Sequence, residues 1–386
     1  MQIIFKYLFV VVALLLAPLK SMAGSFKDQI AVSYSTYSDN VGVKIFSPAI
    51  SLQKKLSEHW GLSTAFAIDA MTAASIRNGN GKVKDGVIVD AVSGASGRAG
   101  FDDFRMAPTV SLTYENDDFS ANFGSYYSTE IDFNTLAGFA SVTNGFNDAN
   151  TIVSIGGSYE QAEWSPTTNR VLIGGLNDDP SGAKSQIQVN ASVMQLINPT
   201  SYLQLRYSYI NQEGYLSSPY RYLVSDTVAQ FDRYPGVRTS YATALQYVTQ
   251  LGEDFSAHAE YRYYADNWDV QSHTVQGQLF YDLMHNLMIG TRLRVYNQSK
   301  SSFTKKINEY EYDDAFIVSD YRLSAFQSID TGLSLSYRPG FFPDENMAIE
   351  MTYDWFTTDE NAYIENWYGE TQIKAEYATI SLSYAF

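Results

Sequence analysis

Apolar and polar residues alternate along much of the chain. From Phe255 to Asp266, Phe255, Ala257, Ala259, Tyr261, Tyr263 and Ala265 share one parity, while Ser256, His258, Glu260, Arg262, Tyr264 and Asp266 take the other. Successive side chains of an extended strand point to opposite faces, so a period of two with the charges on one side predicts a strand. The arrangement recurs. Leu287, Ile289, Thr291, Leu293 and Val295 oppose Arg292 and Arg294, and Leu203, Leu205, Tyr207 and Tyr209 oppose Gln204, Arg206 and Ser208. Met347, Ile349, Met351, Tyr353 and Trp355 oppose Glu350 and Asp354.

Segments of this kind fall at 28–37, 43–54, 59–70, 105–115, 118–128, 134–144, 150–162 and 184–195. They continue at 200–212, 237–250, 254–267, 270–282, 286–298, 319–338, 346–357 and 372–386. That is about 16 strands, an even number, with fourteen or eighteen left open by the boundaries. Short connections rich in turn residues, such as Glu115–Asp118, Ile197–Thr200, Leu251–Asp254 and Leu283–Asn286, alternate with longer ones near 71–104, 163–183, 213–236, 299–318 and 358–371. No linker, internal repeat or low-complexity block divides the chain, which reads as one domain.

Alternation alone does not separate a soluble sandwich, whose apolar face is buried, from a barrel whose apolar face meets lipid. Aromatic content, the two chain ends and strands of ten or more residues, taken together, point to the barrel. Aromatics make up 15% of the chain, with 30 Tyr, although mean hydropathy is only −0.20; many amphipathic rings without continuous hydrophobicity suit strands with one face in lipid and aromatic girdles at its borders.

The chain ends support the same reading. Residues 1–23 have the form of a signal peptide: Lys6, then an apolar run from Tyr7 to Ala17, then Ser21-Met22-Ala23 as a small-x-small cleavage site after Ala23. Beyond it no apolar run approaches the ~18 residues of a membrane helix. At the other end Ile380, Leu382, Tyr384 and Phe386 alternate with Ser381, Ser383 and Ala385. This terminal strand resembles the signal by which bacterial outer-membrane barrels are recognised for insertion.

The expectation is therefore an all-β chain, a transmembrane antiparallel up-and-down β-barrel over residues 24–386, in the outer membrane of a Gram-negative bacterium. Outer-membrane lipid and, through Phe386, the barrel-assembly machinery would be its partners. The last strand would end in the periplasm, placing the short turns there and the longer connections outside or within the lumen. There is no Cys, hence no disulfide framework and no thiolate site. Signal removal would leave 24 basic and 42 acidic residues, a formal charge of −18 that disfavours nucleic acid.

The candidate lumen-facing residues are Arg206, Arg238, His258, Glu260, Arg262, Arg292, Arg294, Glu350 and Asp354. Two readings stay open: opposite charges pair across neighbouring strands, or the arginines form an anion-attracting stripe in a water-filled pore. His258 lies beside Glu260 without a second ligand at metal spacing on its strand, and reads as a satisfied lumen histidine. The acidic stretches Asn308–Asp314 and Thr358–Glu370 read as solvated surface. No phosphate-binding loop, G-x-S-x-G elbow or H-E-x-x-H motif is present, so no catalytic residue and no metal ligand set is assigned. An interfacial hydrolase survives only as a class known among outer-membrane barrels.

One stretch stands apart. Asp90-Ala91-Val92-Ser93-Gly94-Ala95-Ser96 can be an ordinary turn, with Asp90 and the serines bonding local backbone. It also resembles the D-x-x-[ST]-G-A-[ST] motif read by periplasmic flavin transferases in flavin-bearing subunits of sodium-pumping NADH:quinone oxidoreductases. The resemblance implies recognition through Asp90, Ser93, Gly94 and Ala95, covalent FMN on Ser96, and a flavin transferase as partner; Ser stands where Thr is commoner. With Ser217–Leu223, Phe231–Arg238 and Ala259–Thr274, this stretch makes the whole chain resemble an uncharacterised family of Gram-negative outer-membrane barrels. Three roles follow: a porin-like channel or binding scaffold, an envelope redox component carrying FMN, or an interfacial hydrolase.

Overall fold

The structure, a computed structural model, describes residues 27–72, 103–130, 133–165, 182–217, 222–224, 229–340 and 346–386. The first strands are β1 (Gln29–Asp39), β2 (Lys44–Lys55), β3 (Trp60–Thr72), β4 (Asp103–Glu115), β5 (Phe119–Thr129) and β6 (Phe133–Phe146). Then come β7 (Thr151–Trp164), β8 (Gly182–Asn198), β9 (Ser201–Gly214), β10 (Tyr222–Val224), β11 (Ala229–Phe231) and β12 (Val237–Leu251). The last are β13 (Phe255–Asp266), β14 (Gln271–Met284), β15 (Leu287–Gln298), β16 (Phe326–Tyr337), β17 (Met347–Thr358) and β18 (Lys374–Ala385). One helix, α1 (Ala362–Tyr368), lies between β17 and β18.

All but β10 and β11 form a closed antiparallel barrel of 16 strands, each beside its sequence neighbour, with β9 next to β12 across the small β10–β11 ribbon. Closure joins β1 to β18 from Gln29↔Ala385 to Asp39↔Ala375, and the Phe386 amide donates to the Asp28 carbonyl at 2.8 Å. A closed sheet has no free edge, so its ladder N–H and C=O groups find partners within the sheet. Both described ends of the chain therefore meet at one end of the barrel, here termed the terminal end. The turns at 115–119, 198–201, 251–255 and 284–287 share that end, each formed by two or three residues. Gly252 supplies the left-handed residue of one of them, with φ 77°.

One parity of each strand carries large apolar residues open to the surroundings. Leu205, Tyr207, Leu245, Tyr261, Leu279, Leu293, Leu333 and Met351 are examples. The other parity is polar and less exposed, as the concave side of a barrel must be. Its most deeply buried members, including Glu160, Lys184, Gln186, Gln188, Ser240, Ser272, Thr274 and Ser328, lie in the half away from the terminal end. Met194, Ser201 and Gln204 are buried near the terminal end. Among the described residues no helix is long and apolar enough to cross a membrane.

The sixteen strands, their boundaries to within a few residues and the parity of their faces agree with the alternation in the sequence. One segment departs from it. Residues 319–325, expected to open the strand 319–338, form instead a 3-10 turn over Tyr321–Leu323. The reason is local: the Asp320 carboxylate caps the turn, accepting from the Arg322 amide at 3.0 Å and from the Arg322 guanidinium.

Four of the connections opposite the terminal end build, with their described residues, a second layer. Leu216 and Leu223 from the β9–β12 connection, Trp268 from the β13–β14 turn, Tyr310, Ile317, Val318 and Leu323 from the β15–β16 connection, and Tyr363 from α1 pack into one buried cluster. Backbone bonds tie these segments together: Arg233 and Ile317 exchange amide-to-carbonyl bonds at 2.9 and 3.0 Å, and the Ser302 amide donates to the Trp268 carbonyl at 2.8 Å. The Asp232 carboxylate accepts from the Ser319 amide at 2.7 Å. Asn361 caps α1 through the Tyr363 amide and donates to the Ser324 hydroxyl at 2.8 Å, and Gly369, φ 73°, ends the helix. This layer is termed the cap.

Candidate functional site

Strand register decides which inner-face side chains meet. On β15, β16 and β17, Arg292, Gly332 and Asp354 lie in one row. The Arg292 guanidinium contacts Asp354 at 2.8 Å and Asp330 of β16 at 2.8 Å. On β9, β12 and β13 the row is Arg206, Ala244 and Arg262, and Arg206 reaches over the small Ala244 to the Glu260 carboxylate. Arg238, at the cap end of β12, pairs with Asp266 at 2.6 Å, and its guanidinium lies 4.5 Å from the centre of the Trp268 ring. The Trp268 indole donates to the Val237 carbonyl at 2.9 Å, which fixes the ring between barrel and cap.

Opposite charges thus pair across adjacent strands and across strands two apart, more widely than neighbour-only pairing would require. Two of the arginines stand outside the pairing. Arg262 of β13 and Arg294 of β15 have no ion pair among the described residues, and the two cations repel one another across β14. Arg262 also faces the Tyr264 ring, 6.0 Å from its centre. His258 lies beside Phe280, ring centres 4.9 Å apart and planes tilted by 53°, and bonds Gln278. Glu350 lies towards the terminal end, exposed on the inner parity, with Ser336 and Ser381 as its register partners.

The far side of the barrel holds a second network that the alternation did not single out. Arg105 of β4 is bonded by Nε to Asp69 of β3 at 2.6 Å and donates to the Tyr126 hydroxyl of β5 at 3.1 Å. Its signal in the sequence was weak, because a single Arg and a single Asp on strands joined by a long connection share no motif. Inner-face glycines answer the large rings. A Cβ on Gly290 would lie 2.6 Å from the Phe280 ring and one on Gly124 2.5 Å from that of Phe139, so each glycine leaves room for a neighbouring aromatic.

Asp90, Ser93, Gly94, Ala95 and Ser96 lie outside the described residues, as does the segment 1–23. Among the described residues no group of three or more His, Asp or Glu is placed to hold a metal ion. His59 contacts the Glu115 carbonyl and His273 the Tyr261 hydroxyl, at 2.9 and 2.7 Å.

Comparison with solved structures gives the barrel its relatives. The chain is similar to a bacterial polysaccharide outer membrane secretin at 9% identity and TM-score 0.52, covering 93% of this chain and 98% of that one. It is similar to CdiB from Acinetobacter baumannii at 10% identity and TM-score 0.50, covering 93% of this chain and spanning 60% of that one. A BenF-like porin from Pseudomonas fluorescens Pf-5 matches at 8% identity and TM-score 0.48, covering 94% and 99% of the two chains. Identities this low speak to fold alone. No curated protein matches the chain. The family model described as "Protein of unknown function (DUF3570)" matches residues 11–386, and the chain belongs to that family.

Proposed function

We propose that this is an outer-membrane β-barrel with a covered mouth, which holds a polar solute against its inner face instead of passing solutes freely. One observation carries the reading: Leu216 and Tyr363 belong to the same buried core. Leu216 follows β9 by two residues and Tyr363 follows β17 by five, strands six steps apart around a ring of sixteen. That arc is more than a third of the rim of a barrel roughly 30 Å across by strand spacing and tilt. A core shared by four successive connections rooted along this arc draws them together at the mouth, which supports the covered reading.

The apolar outer parity supports placement in lipid, and a closed ladder is one of the two backbone arrangements lipid tolerates. The terminal end then faces the periplasm, and the cap faces outward. Insertion by the barrel-assembly machinery through β18 belongs to the same reading; Phe386, 62% exposed, is open to recognition.

Proteoliposome swelling tests it. Vesicles carrying the wild-type chain should admit small sugars little faster than empty vesicles. Rates matching an open porin would overturn the covered-mouth reading.

A second reading, covalent FMN on Ser96, is supported by the Asp90–Ser96 motif alone. Against it, the β3–β4 connection that contains the motif leaves the barrel at the cap end, whereas the transferase acts in the periplasm. Attachment would have to precede closure. Intact mass on protein from membranes with a flavin transferase tests it: an increment of FMN minus water on the Ser96 peptide supports it, and an unmodified chain overturns it. No observation favours a hydrolase.

A further inference from the structure

We propose that the inner face beneath the cap binds a small oxyanion, a phosphate or carboxylate group of a soluble molecule, between Arg262 of β13 and Arg294 of β15, with Thr274 of β14 as a hydrogen-bond donor. The inference rests on the lumen being a binding space.

Register brings the three side chains together. Arg262 is opposite Thr274, which is opposite Tyr296, and one step along the same face Glu260, Gln276 and Arg294 form the next row. The two arginines therefore flank β14 on a diagonal. Strands two apart are separated by about 10 Å, a gap that two guanidiniums on long stems close from both sides.

Their counter-ions are engaged elsewhere. Of the five arginines on this stretch of wall, Arg206 holds Glu260, Arg238 holds Asp266, and Arg292 holds both Asp330 and Asp354. Asp330 is the register partner of Arg294 yet bonds Arg292, and Glu260 sits two residues from Arg262 yet bonds Arg206. Two cations are left in adjacent rows either side of β14 with no carboxylate in ion-pair contact among the described residues, in a chain whose overall charge is −16. Partly enclosed like charges are costly unless an opposite charge lies between them.

Thr274 supplies an independent observation. Its residue is only 6% exposed, and its Oγ1 has no hydrogen-bond partner among the described residues. A buried hydroxyl left unsatisfied carries a desolvation cost. An oxyanion at this point would accept from the threonine and from both guanidinium forks, whose planar donors suit carboxylate and phosphate alike. The flanking tyrosines are already committed: Tyr296 donates to Gln298 at 2.6 Å and Tyr264 to Asp266 at 2.7 Å. They form fixed walls. The continuous ladder on both sides of β14 separates the site from lipid headgroups, which is why the ligand is a soluble one.

The test is calorimetric titration of the detergent-purified full chain with sodium phosphate and with sodium succinate at constant ionic strength. Saturable binding of at least one is expected. Arg262→Gln and Arg294→Gln should each weaken it by about tenfold or more, as loss of a charge-assisted contact does. Thr274→Val should weaken it less, and Lys54→Gln at the terminal end should leave it unchanged. If the arginine variants fail to fold, the wild-type result decides: no saturable binding of either anion overturns the proposal. Binding that survives in folded Arg262→Gln and Arg294→Gln overturns it as well. The two readings fail separately. Anion binding with porin-like sugar flux would sink the covered mouth and support the site, whereas low flux without anion binding would sink the site and leave the cap.

Discussion

Arg292 on β15 and Asp354 on β17 are bonded at 2.8 Å across the intervening strand, and they meet there because the residue between them is Gly332. A Cβ on Gly332 would lie 1.9 Å from the Asp354 carboxylate. The glycine is a notch through which an ion pair spans three strands. Gly332→Val should therefore force the pair apart and destabilise the barrel by about 1–3 kcal/mol, in the range of overpacking with a disturbed ion pair. Urea unfolding read by heat-modifiable gel mobility checks it. Gly277→Ala, where an added Cβ meets nothing within 4 Å, should be close to neutral.

Arg206 and Glu260 make a comparable bridge over Ala244, with side chains 24% and 19% exposed. Removing one partner leaves the other charge partly desolvated, so the single variants Arg206→Met and Glu260→Gln should each cost more than half of what the double variant costs. A double-mutant cycle in urea should return a coupling of about 1–2 kcal/mol, reduced from fully buried pairs by the water that reaches this one. Additive single effects would mean that the two side chains do not interact in the folded protein.

The cap is held by its apolar core and should come loose without the barrel. Trp268→Ala or Leu323→Ala removes a side chain whose residue is 3% or 5% exposed and should destabilise the cap by about 2–5 kcal/mol, as large-to-small core changes do. Limited proteolysis should then cut within 299–325 much faster, while the barrel keeps its heat-modifiable mobility. Loss of the folded barrel in these variants would show that cap and barrel are one cooperative unit.

Acid should loosen the same segment. Asp314 bonds Lys305 and accepts from the Glu311 amide at 2.8 Å; the lysine hydrogen bond, followed by the backbone one, holds the Asp314 carboxyl below its ordinary value. A carboxyl with a depressed folded pKa stabilises above its unfolded pKa and loses that contribution as pH falls through the folded value. Hydrogen exchange at 305–314 should quicken below about pH 4, and less steeply in Asp314→Asn, which has already lost the ionisable group. Because Lys305 is exposed and Asp314 only half-buried, the effect should shrink in high salt.

The barrel was legible because period-two alternation is a local signal: Phe255 to Ala265 or Leu287 to Val295 declare a strand and its two faces without reference to any other part of the chain. The arginines of the candidate site were legible for the same reason, since their parity follows from that of their strands. Their pairings were not. Asp330 and Asp266, which hold Arg292 and Arg238, were not singled out, because whether a carboxylate meets an arginine two strands away depends on stagger and on small residues such as Gly332 and Ala244. The cap was the least legible part. Leu216, Trp268, Ile317, Leu323 and Tyr363 are single apolar positions scattered over four connections, with no period to mark them, and they become a core only when closure brings their strands round.

The covered mouth is tested most directly by single-channel conductance in a planar bilayer, comparing the wild-type chain with one in which residues 300–324 are replaced by a short Gly-Ser turn. The wild type should show small or no steady conductance, and the replacement should open a large ohmic pore in a barrel that still folds. A wild-type barrel that conducts like an open sixteen-strand pore, unchanged by removal of the segment, would contradict it.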